Sequence, residues 1–245
     1  MAEAVKRSDQ ESGGRARPRR DAAALRLSAR WDRGAPAIQP VVDVETLLPP
    51  RAAVDGTSRR ILISALVRFA EWGYHAAPVR EIARGAGVRA SSMYEYRASK
   101  EQLLLDLMLI AHEEHAAWLR EALDRAGDDP VRRMRELVSA HVRLHATYPL
   151  LARVGNRELG SLGPEALEEV VAVRRASEDM IEDTVRAGVE AGVFQVPDAW
   201  LAVAAIGAMG IRVAEWFGPA SGFTADEVAG AYSEFALRLL GYRTA

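Results

Sequence analysis

Cysteine is absent from all 245 residues, which excludes disulfide frameworks, thiolate metal sites and thiol nucleophiles and leaves the redox compartment open. Long apolar runs are also missing. The longest uncharged apolar stretch, Ala199 to Ile211, has 13 residues between Asp198 and Arg212, short of the roughly 20 that cross a bilayer. It reads as a buried helix, and no membrane partner is expected. The N-terminus lacks the apolar core of a signal peptide, so a cytoplasmic protein is expected. No segment alternates with the period of a β-strand, and no internal repeat is evident.

What is present is an ordinary globular composition, 49% apolar and 27% charged. The length suits a small head fused to a body large enough for its own core. A net charge of −2 conceals a gradient along the chain. Residues 1–56 carry 10 basic and 8 acidic side chains, residues 57–103 carry 8 and 4, and the remainder 14 and 22. Only the middle block is basic for its size, as a DNA-binding segment must be to neutralise phosphates. On charge alone, a solvated surface explains the block equally well.

Residues 1–56 hold Gly13-Gly14, Pro18, Pro36, Pro40 and Pro49-Pro50, with seven arginines from Arg15 to Arg33. They read as a disordered Arg-rich tail, or as a basic arm beside a DNA site. After Pro50 the pattern is helical throughout. Ile61, Leu62, Ala65, Leu66 and Phe69 share one helix face, and Gly73 ends that helix. A short helix is predicted from Pro78 to Ala86, a turn at Gly87, and a third helix from Ala90 to Arg97. Ser99-Lys100-Glu101-Gln102 is a capping box opening a long helix. Further helices are predicted at about 130–146, 148–156, 164–191, 198–217 and 224–240. The fold class is all-α with about nine helices: a three-helix helix-turn-helix head over 57–103 and a ligand-binding and dimerisation body over 104–245.

Two short helices joined by a tight turn can present the second to a major groove roughly 12 Å wide. Val79, Ile82, Ala83, Val88 and Met93 supply the contacts that set the angle between them. Arg89, Ala90, Ser91 and Ser92 begin the third helix and are small enough to approach bases. Tyr96 is a further base candidate. Tyr94 and Lys100 are phosphate candidates, Lys100 lying near a helix N-terminus.

In this run the sequence resembles the TetR family of bacterial repressors. The matching residues are Ile61-Leu62 to Phe69-Ala70, Gly73-Tyr74, Val79-Arg80-Glu81-Ile82-Ala83, Ala86-Gly87-Val88, Met93-Tyr94 and Ser99-Lys100-Glu101. Ala77 departs from the family's usual Thr or Ser, and Tyr96-Arg97 from its His-Phe. In the body, HATYPLLARVGNRELGSL from His145, then Arg174-Arg175 and GVEAGVFQVPD from Gly188, is similar to the ligand-binding half of regulators of fatty-acid and sterol breakdown. The resemblance implies a homodimer on an inverted-repeat operator in double-stranded DNA, with an acyl-CoA-like small-molecule effector and no resident cofactor.

The segment from His145 mixes apolar residues with Tyr148, Arg153 and Asn156, as a small-molecule site requires. With His141, His145, Arg174 and Arg175 these are the candidate ligand residues. The pairs His141/His145 and His112/His115 raise metal ligation, but neither sits in the Glu-x-x-His motif of a di-iron bundle, and His112 and His115 have the wrong spacing for the two ligands of an H-E-x-x-H zinc helix; a polar lining to a pocket, or plain surface, is expected instead, and no metal. Trp118, Trp200 and Trp216 read as core or interface. No catalytic constellation is readable, which leaves a helical enzyme, or an adaptor that lost DNA binding, as the alternatives. The apolar helix after Asp198 exposes too much surface for a monomer and asks for a partner chain.

Overall fold

The computed structural model describes residues 44–52, 54, 56–96 and 99–243, all within the unit Ala37–Ala245. The expected tail therefore lies outside the described residues as far as residue 43. So do Arg97 and the side chain of Tyr94.

Ten α-helices are found among these residues, with no strand. The head comprises α1 (Gly56–Trp72), α2 (Val79–Gly85) and α3 (Ala90–Tyr96). Helix α4 (Lys100–Ala126) leads into the body, followed by α5 (Pro130–Thr147), α6 (Pro149–Arg157), α7 (Pro164–Glu190), α8 (Ala199–Ile211), α9 (Val213–Trp216) and α10 (Ala225–Leu239). Prolines open α5, α6 and α7, where the missing N–H costs nothing.

Local chemistry explains the ends. Ser99 Oγ accepts from the Gln102 backbone N–H at 3.0 Å, but the Gln102 amide turns away to Asp106 at 2.8 Å, so only half of the expected capping box forms. A charged acceptor one turn on outcompetes the backbone return. The complete box stands at Thr224 and Glu227, whose carboxylate accepts from the Thr224 backbone N–H at 2.9 Å. The single helix expected over 198–217 is instead broken at Arg212. Arg212 still donates its backbone N–H to the Ala208 carbonyl at 3.3 Å, and Glu215 then bonds to the Arg212 carbonyl at 3.1 Å in a tighter i to i+3 turn.

Two apolar cores form. The first joins the head to the start of α4 and to α6 through Leu62, Phe69, Ile82, Met93, Leu107 and Leu151. The second joins the end of α4 to α5, α7, α8 and α10 through Leu119, Leu137, Val185, Ile206 and Leu237. Helix α4 belongs to both, so it runs uninterrupted across the boundary expected at residue 103. Leu47 and Leu48 are buried in the first core, and Arg51 pairs with Glu121 and, at 3.8 Å, with Glu114. Packing thus begins ahead of the boundary expected at residue 56.

Candidate functional site

The head is locked at one crossing. Ser64 Oγ donates to the Ile82 carbonyl at 2.8 Å and Arg60 Nε to the Ala86 carbonyl at 3.2 Å. Gly85 permits this approach: a Cβ there would lie 2.3 Å from Ser64 Oγ. Gly87, at φ 69°, turns the chain between α2 and α3 in a conformation other residues resist. Met93 anchors α3 in the core. On the opposite face Arg89, Ala90, Ser91 and Tyr96 are exposed and Ser92 is half-buried. These residues share one end of the head.

Lys100 stands at the start of α4, its Nζ 4.5 Å from the Tyr74 ring centroid and 3.3 Å from the His75 carbonyl. Burial lowers its pKa while Glu158 pulls it back up. Ala77 is buried, and α2 starts from Pro78 with no side-chain cap, the hydroxyl of the family pattern being absent.

A cavity of about 530 Å³ opens between the two cores. Helix α4 supplies Ala111, His112, Glu114 and His115; α5 supplies His141, Leu144 and His145; Tyr148 and α6 supply Leu151, Ala152 and Asn156. Arg174, Arg175, Ser177 and Ile181 come from α7, and Trp200, Val203 and Ile211 from α8. Of the seven candidates, His141, His145, Tyr148, Asn156, Arg174 and Arg175 line this one cavity. Arg153 does not. It sits about 200° around α6 from Leu151 and faces the Glu215 and Arg157 charges instead.

Four imidazoles gather at the inner end. His115 Nε2 lies 2.8 Å from His141 Nδ1, and His141 Nε2 lies 3.1 Å from the Gly207 carbonyl. His145 Nδ1 meets the His141 carbonyl at 2.7 Å, and His112 Nε2 the Gly155 carbonyl at 3.2 Å. The contact with Gly207 depends on Gly210, where a Cβ would fall 2.0 Å from the His141 ring. Burial pushes His112 and His141 down to about 4 and His145 to about 3, the Arg174 charge acting in the same direction. His115 is lowered too, by burial and by its neighbouring imidazoles. All four are therefore neutral near pH 7, each with a single ring proton. Among the described residues no group of His, Asp or Glu is arranged to hold a metal ion.

At the mouth the charges reach solvent. Arg174 is held by Glu178 at 2.9 Å and by Asn156 at 3.4 Å, whereas Arg175 points out with Trp200, which is 63% exposed. Trp200 therefore lies at the rim of the cavity and outside the core. Trp118 instead donates to Glu114 at 2.7 Å and packs edge-on against Tyr148. The sequence does not single out Ser177 or Trp200 as ligand residues, and for His112 and His115 it allows either a pocket lining, which they form, or plain surface. The spacing of His112 and His115 placed them one turn apart, but nothing in it aligned α4 with α5.

Comparison with known proteins agrees with this architecture. Residues 61–107 match the family model for bacterial regulatory proteins of the tetR family, and residues 127–240 match the tetracyclin repressor-like C-terminal domain. The HTH-type transcriptional repressor KstR2 of Mycobacterium tuberculosis is 27% identical over 203 residues, covering 76% of this chain and 95% of KstR2. The crystal structure of a tetR-family regulatory protein from Rhodococcus RHA1 is 31% identical with a TM-score of 0.73, covering 78% of this chain and all of that one. PfmR of Thermus thermophilus, a TetR-family regulator, is 32% identical with a TM-score of 0.67, covering 73% of this chain and 97% of its own. The chain belongs to the TetR family of DNA-binding transcriptional regulators.

Proposed function

We propose that this regulator is a cytoplasmic, ligand-responsive repressor that binds an inverted-repeat operator as a homodimer and releases it when an amphipathic effector, an acyl-CoA or similar molecule, fills the body. One observation carries the reading: the cavity lies on α4, the same helix whose first residue, Lys100, follows the end of α3 by four positions and packs on Tyr74 and His75 of the head. A ligand that shifts α4 changes the separation of two recognition helices. Switching most of a population between two such shapes requires several kcal/mol of differential affinity.

The division of labour follows. Arg89, Ala90, Ser91, Ser92 and Tyr96 face bases, and Lys100 with Tyr94 holds phosphates. Apolar walls from Leu144, Leu151, Ile181 and Val203 suit a hydrocarbon chain, and Arg174 and Arg175 suit an anionic head at the mouth. KstR2, a ketosteroid transcriptional regulator, makes a lipid-derived effector a natural choice. For the dimer, Leu201 on α8 and Phe235 and Leu239 on α10 expose an apolar face that a second copy would cover. The body is therefore proposed to serve both ligand and partner, with the head over 57–103 and the body over 104–245.

The test titrates free fatty acids, CoA and acyl-CoAs against the protein–operator complex. Dissociation by acyl-CoAs but not by CoA alone is expected. If none dissociates it up to about a millimolar, where binding is worth only about 4 kcal/mol, the proposed effector class is wrong.

A further inference from the structure

The inner end of the cavity presents hydrogen-bonding groups whose polarity can be worked out from the bonds already made. A carbonyl only accepts, so His141 Nε2 must donate to Gly207, which leaves His141 Nδ1 bare to accept from His115 Nε2. By the same argument His145 Nδ1 donates to the His141 carbonyl and His112 Nε2 to the Gly155 carbonyl. Each ring has then spent its only proton. His112 Nδ1, His115 Nδ1 and His145 Nε2 remain as acceptors, and none accepts from a described residue. In the same cavity Ser177, nearly fully buried on α7, has a hydroxyl with no hydrogen-bond partner among the described residues. All four side chains line the same cavity.

What would complement this set is constrained. A carboxylate brings no donor to three nitrogen lone pairs. An ammonium would meet the same burial that keeps the imidazoles neutral, and the Arg174 charge, which Glu178 offsets only in part at His112. A ketone offers only a further acceptor. A hydrocarbon end leaves Ser177 and the ring nitrogens unpaired, at the cost attached to buried polar groups. A hydroxyl donates to a ring nitrogen and accepts from Ser177 at once.

Resting on the reading of this cavity as the effector site, we infer that the effector carries a hydroxyl at the end of its hydrocarbon part remote from the charged head, received between the free imidazole nitrogens and Ser177. The exposed Arg175 and Trp200 set the direction of entry: the anionic head stays at the mouth and the far end of the chain reaches the imidazoles.

The test measures direct binding to the full-length dimer by calorimetry, without DNA, for three probes: dodecanoyl-CoA, ω-hydroxydodecanoyl-CoA and the nearly isosteric ω-fluorododecanoyl-CoA, which is polar but has no donor. The hydroxyl compound should bind about tenfold more tightly than either other, the order of one net hydrogen bond. Ser177→Ala and His145→Phe should each lower the ratio of ω-hydroxydodecanoyl-CoA affinity to dodecanoyl-CoA affinity, whatever either does to binding of the unsubstituted chain. Ser177→Ala removes only the hydroxyl oxygen and tests the point even if His145→Phe folds poorly. Equal binding of the hydroxyl and unsubstituted chains, or a fluoro compound as good as the hydroxyl, would overturn the hydroxyl inference and leave the effector reading standing. A preference that survives both substitutions would overturn it as well. Binding by none of the three up to about a millimolar would remove the acyl-CoA reading and this inference with it.

Discussion

Glu158 Oε1 accepts a hydrogen bond from the backbone N–H of Tyr74 across 3.1 Å, which ties the end of α6, a wall of the cavity, to the turn that follows α1 in the head. The second carboxylate oxygen accepts from Ser161 at 2.9 Å, and the same charge acts on Lys100. Glu158→Gln keeps an acceptor for the amide but removes a negative charge beside a phosphate-seeking cation. Operator affinity at low salt should rise severalfold, and the gain should shrink as salt screens the pair. Glu158→Ala should in addition weaken the ligand's effect on DNA binding. Operator titrations with and without effector check both; an unchanged ratio of the two affinities in Glu158→Ala would exclude this link as a route of coupling.

Lys100→Ala should weaken binding to every DNA sequence alike and make the salt dependence shallower by about one unit, as loss of one phosphate contact does. Fluorescence anisotropy across a salt series reads the slope. A changed base preference at one operator position would instead place Lys100 at a base edge.

Gly210→Ala should destabilise the body by about 1–3 kcal/mol, the usual cost of overpacking, because the new Cβ would sit 2.0 Å from the His141 ring. The His141 bond to Gly207 must break or α8 must move. Urea midpoints give the energy. Loss of ligand binding beyond the loss of stability would show that the position of the ring matters to the site.

The imidazole cluster should make stability depend on pH in a definite direction. His112 and His141 are lowered to about 4 and His145 to about 3 in the folded chain, against about 6.5 unfolded. The unfolded chain therefore binds more protons below about pH 6.5. The stability these rings contribute is complete above that value and is lost as pH falls toward 4 and then 3. Each ring adds a slope of up to about 1.4 kcal/mol per pH unit in that window. Urea melts at several pH values, compared with His112→Gln, should show a shallower fall in the variant; parallel curves would mean that His112 does not contribute.

Leu201→Glu or Phe235→Glu should convert the dimer to monomer at micromolar concentration, since each puts a charge on an apolar face that is already open in the single chain, Leu201 being 55% exposed and Phe235 48%. Sedimentation velocity reads the mass. A wild-type monomer would refute the proposed assembly.

The sequence alone determined what repeats at short range. Apolar spacing marked α1 to α10 to within a few residues, apart from the break at Arg212. Proline and glycine marked the ends, and the run from Ile61 to Glu101 carried the family. These are readable because a helix face, a cap and a tight turn are each decided by residues within about four positions of one another. Only the tertiary structure decided which helices meet. It set His115 against His141 and Gly207 against His141 across 26 and 66 positions of chain, turned Arg153 out of the cavity while admitting Ser177 and Trp200, and drew Leu47 and Leu48 into the core of the head. Such contacts depend on the crossing of whole helices, set by side chains far apart in sequence, and so leave no local pattern to read.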